Sequence, residues 1–269
     1  MSLRQYMSAA AVAFRNVLLG GNLGAWRMVR RPRQLAEFAS ETRFLQRTFA
    51  DRRGVPQRNV WDVIGGERTT SITLAHEHYW PWFGTIATYA TDLVNLCVLC
   101  HLLRPTTVFE IGTAGGLTAL HFALNSAADA RIFTLDMPLD SGVVPALRTT
   151  LIDGWHIRGS AQAGGRHVFD DRPEADRIEC LYGDSATFDF SPWRGAVDLF
   201  FIDGAHSYEY VRSDTARALE CVRPGGVVAW HDFGRVGVNG VSRAVLELAR
   251  AGREVYAVPG GSVAFMVAR

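Results

Sequence analysis

Apolar residues in the C-terminal two thirds of the chain gather into short runs at 108–111, 131–136, 178–181, 197–203 and 227–230. Such runs, rich in β-branched and aromatic side chains and bounded by turn residues, read as strands. Between them, 117–124 and 209–222 carry apolar residues at helical spacing, and the leucine-rich 92–103 stretch predicts a helix before the first strand. Strands alternating with helices imply a mostly parallel sheet, hence a doubly wound, Rossmann-like α/β domain. The pattern places that domain at 71–269, behind a helical N-terminal extension over 1–70 with helix-like stretches at 5–19 and 34–51.

The first strand runs into Glu110-Ile111-Gly112-Thr113-Ala114-Gly115-Gly116, an acid followed by a glycine-rich turn. Glycines there let the backbone approach a ligand closely. A dinucleotide fingerprint needs G-x-G-x-x-G, but counting from Gly112 puts Ala114 and Leu117 at its second and third glycines. The second strand closes on Asp136, placed to accept hydrogen bonds from ribose hydroxyls. The third leads to Gly183-Asp184-Ser185, the fourth to Asp203-Gly204-Ala205-His206, and the fifth to His231-Asp232. Ligands of open parallel sheets bind beyond the carboxyl ends of the strands, where all these residues fall.

All 28 basic residues are arginine. Lacking lysine, the chain can form no Schiff base, no P-loop lysine contact and no tyrosine–lysine pair of the short-chain dehydrogenase kind. Net charge is +1 overall, yet residues 1–60 hold eleven arginines against Glu37, Glu41 and Asp51. That basic surface, with Trp26 and Met28 among Arg27, Arg30, Arg31 and Arg33, suits either a solvated helix face or peripheral contact with an anionic membrane or partner. No apolar run reaches the length of a membrane span, and Arg15 interrupts the N-terminal apolar stretch, so a cytoplasmic protein is expected. Cys97-x-x-Cys100 lacks a matching second pair and reads as core thiols. The aromatic segment 71–84, with His76, His78, Tyr79, Trp80, Trp82 and Phe83, suggests a lid or substrate wall. The 137–177 interval is too long for one helix and its loops and reads as an inserted, substrate-selecting excursion around Trp155, His156, Arg158 and His167.

Glu110-x-Gly112-x-x-x-Gly116 resembles motif I of the class I S-adenosylmethionine-dependent methyltransferases. Together with Phe201-Ile202-Asp203-Gly204-Ala205-His206-Ser207-Tyr208, Arg223-Pro224-Gly225-Gly226 and His231-Asp232, it resembles the methyltransferase-24 group, similar to catechol, macrolide-sugar and cephalosporin O-methyltransferases. The resemblance covers roughly residues 85–269. It implies that Glu110, Gly112, Thr113, Gly116, Asp136, Asp184 and Ser185 contact S-adenosylmethionine. It also implies that Asp203, His231 and Asp232 hold Mg²⁺ or another divalent cation, and that His206 and Asp203 act on a hydroxyl of a small-molecule or glycan acceptor. Imidazole at 231 favours softer metals than an all-oxygen set would, leaving His231 open as a base or supporting group. No nucleic-acid partner is expected. The rival readings are an NAD-dependent oxidoreductase, which the glycine spacing disfavours, and a non-catalytic cofactor-binding scaffold.

Overall fold

The computed structural model describes residues 54–66, 70–75, 86–138, 144–150, 153–154, 166–235 and 238–269. These all lie in one compact unit, Asp51–Arg269. The predicted N-terminal helices, the basic cluster, most of the aromatic segment, and Trp155, His156 and Arg158 of the 137–177 excursion fall outside the described residues.

In chain order the elements are α1 (Val60–Ile64), α2 (Ile86–Leu103), β1 (Thr107–Ile111), α3 (Leu117–Asn125), β2 (Arg131–Asp136), β3 (Ile178–Tyr182), β4 (Val197–Ile202), α4 (Tyr208–Cys221), β5 (Val222–Trp230), α5 (Asn239–Arg250), β6 (Tyr256–Ala257) and β7 (Ala264–Val267). The seven-stranded sheet has the order β3-β2-β1-β4-β5-β7-β6. It is parallel from β3 to β5, and β7 joins antiparallel to both β5 and β6. The strands predicted from the apolar runs are present, and the sheet is the mostly parallel α/β arrangement expected. Helix α2 also occupies the leucine-rich stretch. Past residue 233 the sequence pattern had placed no element, yet α5, β6 and β7 complete the sheet's far side.

Strand β4 shows why the runs are continuously apolar. Val197, Phe200 and Ile202 enter one core, with Trp230 and Val245, while Leu199 and Phe201 enter the opposite one, with Leu120 and Phe122. Helices cover both faces, so alternate residues are buried either way. Cys97 and Cys100 are free buried thiols of α2, and burial pushes Cys97 up to about 12. That is the core role expected of them, with no reactive thiolate at neutral pH.

One boundary differs from the pattern. Arg223-Pro224-Gly225-Gly226, expected as a turn, lies inside β5: Val222 pairs with Val197, the register shifts, and Val227 pairs with Leu199. Gly225 at φ 79° lets the strand absorb the extra residues. Just beside it, Asp198 pins the lower edge of the sheet, accepting hydrogen bonds from Thr106 N (2.7 Å), Thr106 Oγ1 (2.9 Å) and Thr107 N (2.9 Å), with Arg223 paired to its other oxygen.

Candidate functional site

The hydrogen-bond ladder continues one residue past the strand ends, and this brings the polar groups together. Gly112 N donates to Leu135 O (2.8 Å), Gly183 N to Asp136 O (2.9 Å), Asp203 N to Ile111 O (2.8 Å) and His231 N to Ile202 O (3.1 Å). Each post-strand residue is therefore fixed against its neighbour at the carboxyl edge of the sheet.

The glycine turn is shaped by two close approaches. Gly112 has φ 104°, and a Cβ there would lie 2.1 Å from the carbonyl oxygen of Asp203. Gly116 has φ 78° at the start of α3, and a Cβ would meet the Phe169 ring at 2.4 Å. Phe169 belongs to the 137–177 excursion, which also hydrogen-bonds the turn through Val168 N to Gly115 O (3.0 Å). Both glycines are thus required by sterics as well as by φ.

Parallel register sets Glu110 directly beside Thr134, whose hydroxyl donates to Glu110 Oε2 at 2.6 Å and meets Thr113 Oγ1 at 2.8 Å. Glu110 is only 1 % exposed. Burial drives its carboxyl well above the usual range, with the charges of Asp203 and Asp136 adding to the rise against the Thr134 hydrogen bond. Glu110 and Thr113 thus form a buried brace beneath the turn. Asp136 stands above it. Its Oδ2 accepts from Ala114 N (2.9 Å) and its Oδ1 from Met137 N (2.7 Å), and the Thr113 N–H also faces the carboxylate. Burial raises its pKa, and the same N–H groups oppose the rise.

Asp184, beyond β3, takes Ala146 N (2.6 Å) and the Tyr210 hydroxyl (2.8 Å) on Oδ2 and Ala186 N (2.9 Å) on Oδ1. Ser185 is buried beside Asp214 of α4, a carboxyl with no exposed surface. Neither Asp214 oxygen makes a hydrogen bond of ordinary geometry among the described residues. Burial pushes Asp214 up to about 7, and the Asp184 charge adds to the rise while the Ser185 hydroxyl opposes it.

At the ends of β4 and β5 lies a dense ionic network. Asp232 has φ 61°, a left-handed conformation that aspartate tolerates better than most residues. It meets His206 Nε2 at 2.9 Å, His231 Nδ1 at 3.2 Å and Arg235 Nη1 at 2.7 Å. Despite burial, these three cations hold its carboxyl well below the usual range. His231 places Nδ1 3.1 Å from Asp203 Oδ1 and Nε2 3.2 Å from Asp92 Oδ2. Asp92, on α2, also receives Ser262 N and Ser262 Oγ, both at 2.7 Å. Burial opposes charge on His231, but the Asp203 carboxylate and the others around it hold the ring's pKa well above its ordinary value. His206 Nδ1 sits 2.7 Å from Asp153 Oδ1. Burial again opposes charge, yet Asp153 and Asp232 raise this imidazole to about 10.

Among the described residues, Asp203, His206 and Asp232 can each turn one ligand atom to within 4.8 Å of the others. The trio implied by the resemblance had His231 as its middle member. His231 is held between acids, Nδ1 against Asp203 and Asp232 and Nε2 against Asp92, while His206 supplies the imidazole of this trio. Two carboxylates and an imidazole at this separation suit a divalent cation. The supporting residues Asp92, Asp153 and Ser262 are not legible in the sequence, because their partners lie far away in the chain, whereas Arg235 is only three residues from Asp232. Asp92 and His231, for instance, are 139 positions apart. An acid inside the 137–177 excursion was the one available signal for Asp153.

Residues 109–233 match a family model, Methyltransf_24, described as a methyltransferase domain. No curated protein sequence matches the chain. Among solved structures, cofactor-bound Rv0187 from MTB is 20% identical, with 68% of this chain and 82% of that one covered and a TM-score of 0.48. The O-methyltransferase TomG from Streptomyces achromogenes, solved with SAM, is 22% identical over 67% of this chain and 81% of that one, TM-score 0.46. An O-methyltransferase from Bacillus cereus in complex with SAH is 19% identical over 66% and 80%, TM-score 0.45.

Proposed function

We propose that this chain, whose residues 109–233 match the methyltransferase-24 family model, transfers a methyl group from S-adenosylmethionine to a hydroxyl of a small-molecule or glycosidic acceptor. The observation that carries the reading is the convergence of Asp203, His206 and Asp232 at the same sheet edge as the Gly112–Gly116 turn and Asp136.

A sulfonium-bound methyl is already activated, so the protein's task is to align the acceptor oxygen and dispose of its proton. Asp136 would receive the ribose hydroxyls, and Asp184 the adenine amino group. The backbone of the 112–116 turn admits the rest of the cofactor at close range, over the Glu110–Thr134–Thr113 brace. Asp203, His206 and Asp232 would hold a divalent cation, which supplies Lewis acidity that lowers the pKa of an acceptor hydroxyl. The acceptor proton would go to His206 Nε2 only where that nitrogen is not a ligand; as a ligand it has no lone pair to spare, and the proton would pass to solvent. In the network as it stands that nitrogen carries its own proton against Asp232, so His206 becomes a base only when Asp232 is otherwise engaged. The basic 1–60 segment, in this reading, touches an anionic membrane or partner, and sedimentation with anionic vesicles at low salt tests that contact. No helix among the described residues is long and apolar enough to cross a membrane.

Calorimetric titration with S-adenosylhomocysteine tests the core of the proposal, and folded protein that fails to bind it refutes methyl transfer. Asp203→Ala and His206→Ala are each expected to abolish turnover while keeping S-adenosylhomocysteine affinity near normal. Parallel loss of binding would return these residues to a structural role.

A further inference from the structure

Residues 144–150 and 153–154 touch the site at both of its ends. At one end Ala146 N donates to Asp184 (2.6 Å) and Leu147 N to the Tyr210 hydroxyl (3.3 Å), which itself donates to Asp184. At the other, Asp153 reaches His206. Asp153 is 3 % exposed, and both its oxygens are committed. Oδ2 accepts from Thr150 N (2.7 Å), while Oδ1 faces the His206 backbone N–H (2.9 Å) and His206 Nδ1 (2.7 Å). Thr150 Oγ1 in turn accepts from Asp153 N at 3.2 Å, closing a reciprocal box that fixes the carboxylate.

This geometry has a consequence for the two nitrogens of His206. An ionised carboxylate can only accept, so the nitrogen facing it must carry hydrogen. Nδ1 is thereby taken, and Nε2 is the nitrogen turned to Asp232 at 2.9 Å, where it keeps its own hydrogen until a cation takes that hydrogen's place. We infer that Asp153, carried by the 137–177 excursion, is a positioning residue that fixes His206 with Nδ1–H toward itself and presents Nε2 to the Asp203–Asp232 pole. The inference rests on the cation and methyl-transfer reading above. Asp153 itself never touches the reacting atoms, because its oxygens are spent on Thr150 and His206. An outer carboxylate of this kind orients a ligating imidazole and raises its basicity.

The test is titration of the full-length protein with Mn²⁺ alone, followed by electron paramagnetic resonance, for wild type and Asp153→Asn. S-adenosylhomocysteine calorimetry is run alongside. An asparagine can turn its amide to donate to Nδ1 and so select the opposite tautomer, with hydrogen on Nε2. The expected result is a loss of Mn²⁺ affinity of about 10–100-fold, unchanged S-adenosylhomocysteine affinity, and a fall in kcat without a change in donor KM. A merely structural role would instead disturb cofactor binding and kcat together. If Asp153→Asn fails to fold, Thr150→Val, which removes the hydroxyl brace alone, gives the same signature at several-fold size. Wild-type Mn²⁺ affinity in either folded variant overturns the inference. So does a wild-type protein that binds S-adenosylhomocysteine but no Mn²⁺, an outcome that leaves methyl transfer standing. Binding of neither overturns both readings.

Discussion

Asp214→Asn should remove most of one pH-dependent component of stability. Asp214 sits in α4 without exposed surface and without a hydrogen bond of ordinary geometry among the described residues, and burial lifts its carboxyl from 3.8 to about 7. Between those values the native protein keeps a proton that the unfolded chain has released. Stability therefore falls as pH rises through this window and levels off above about pH 7. At about 1.4 kcal/mol per pH unit the whole span is worth about 4 kcal/mol, of which about 2 to 3 kcal/mol falls between pH 5 and pH 8. Asparagine keeps the shape and cannot ionise. Urea unfolding followed by circular dichroism at pH 5 and pH 8, for both proteins, isolates the effect, because the other buried carboxyls, Glu110 and Asp136, are common to both. The wild type should lose about 2 to 3 kcal/mol more than the variant across that interval. Equal pH dependence in the two proteins would refute the reasoning, since it would mean that Asp214 ionises in the native state without penalty.

Gly112→Ala should cost at least about tenfold in S-adenosylhomocysteine affinity by calorimetry, because its Cβ would strike the Asp203 carbonyl at φ 104°. Gly115→Ala, with nothing within 4 Å, should be tolerated. Asp198→Ala strands the N–H groups of Thr106 and Thr107 at the opposite edge of the sheet and should cost about 3 kcal/mol in urea unfolding, leaving cofactor affinity unchanged. For His206, raised from 6.5 to about 10 by Asp153 and Asp232 against the opposing effect of burial, the sign is the same as for Asp214 and the window lies higher. Its contribution is complete below about pH 6.5 and disappears as pH climbs to about 10, on the order of 4 kcal/mol in all. His206→Gln in chelator should abolish that decline, seen as thermal midpoints that converge with the wild type's at high pH.

The strand ends could be read from the chain because their signals are local. A continuous apolar run buried on both faces, an acid at its end and glycines in the next turn are set by neighbours a few positions apart. The chain alone accordingly puts Asp136, Asp184, Asp203 and Asp232 at one sheet edge. Strand β5 was foreseen only from 227, because a proline and two glycines normally stop a strand and a bulge is invisible until its partner strand is known. The roles of the two histidines were likewise beyond local reach. How His206 and His231 are oriented depends on Asp153 and Asp92, 53 and 139 residues away from them. Periodicity reports which side of an element is buried, whereas ion pairing depends on which distant elements pack there. Residue types and spacing therefore determined the sheet, its turn and its acid-lined edge. The tertiary structure alone decided which carboxylates each imidazole meets: Asp92, Asp203 and Asp232 for His231, and Asp153 and Asp232 for His206.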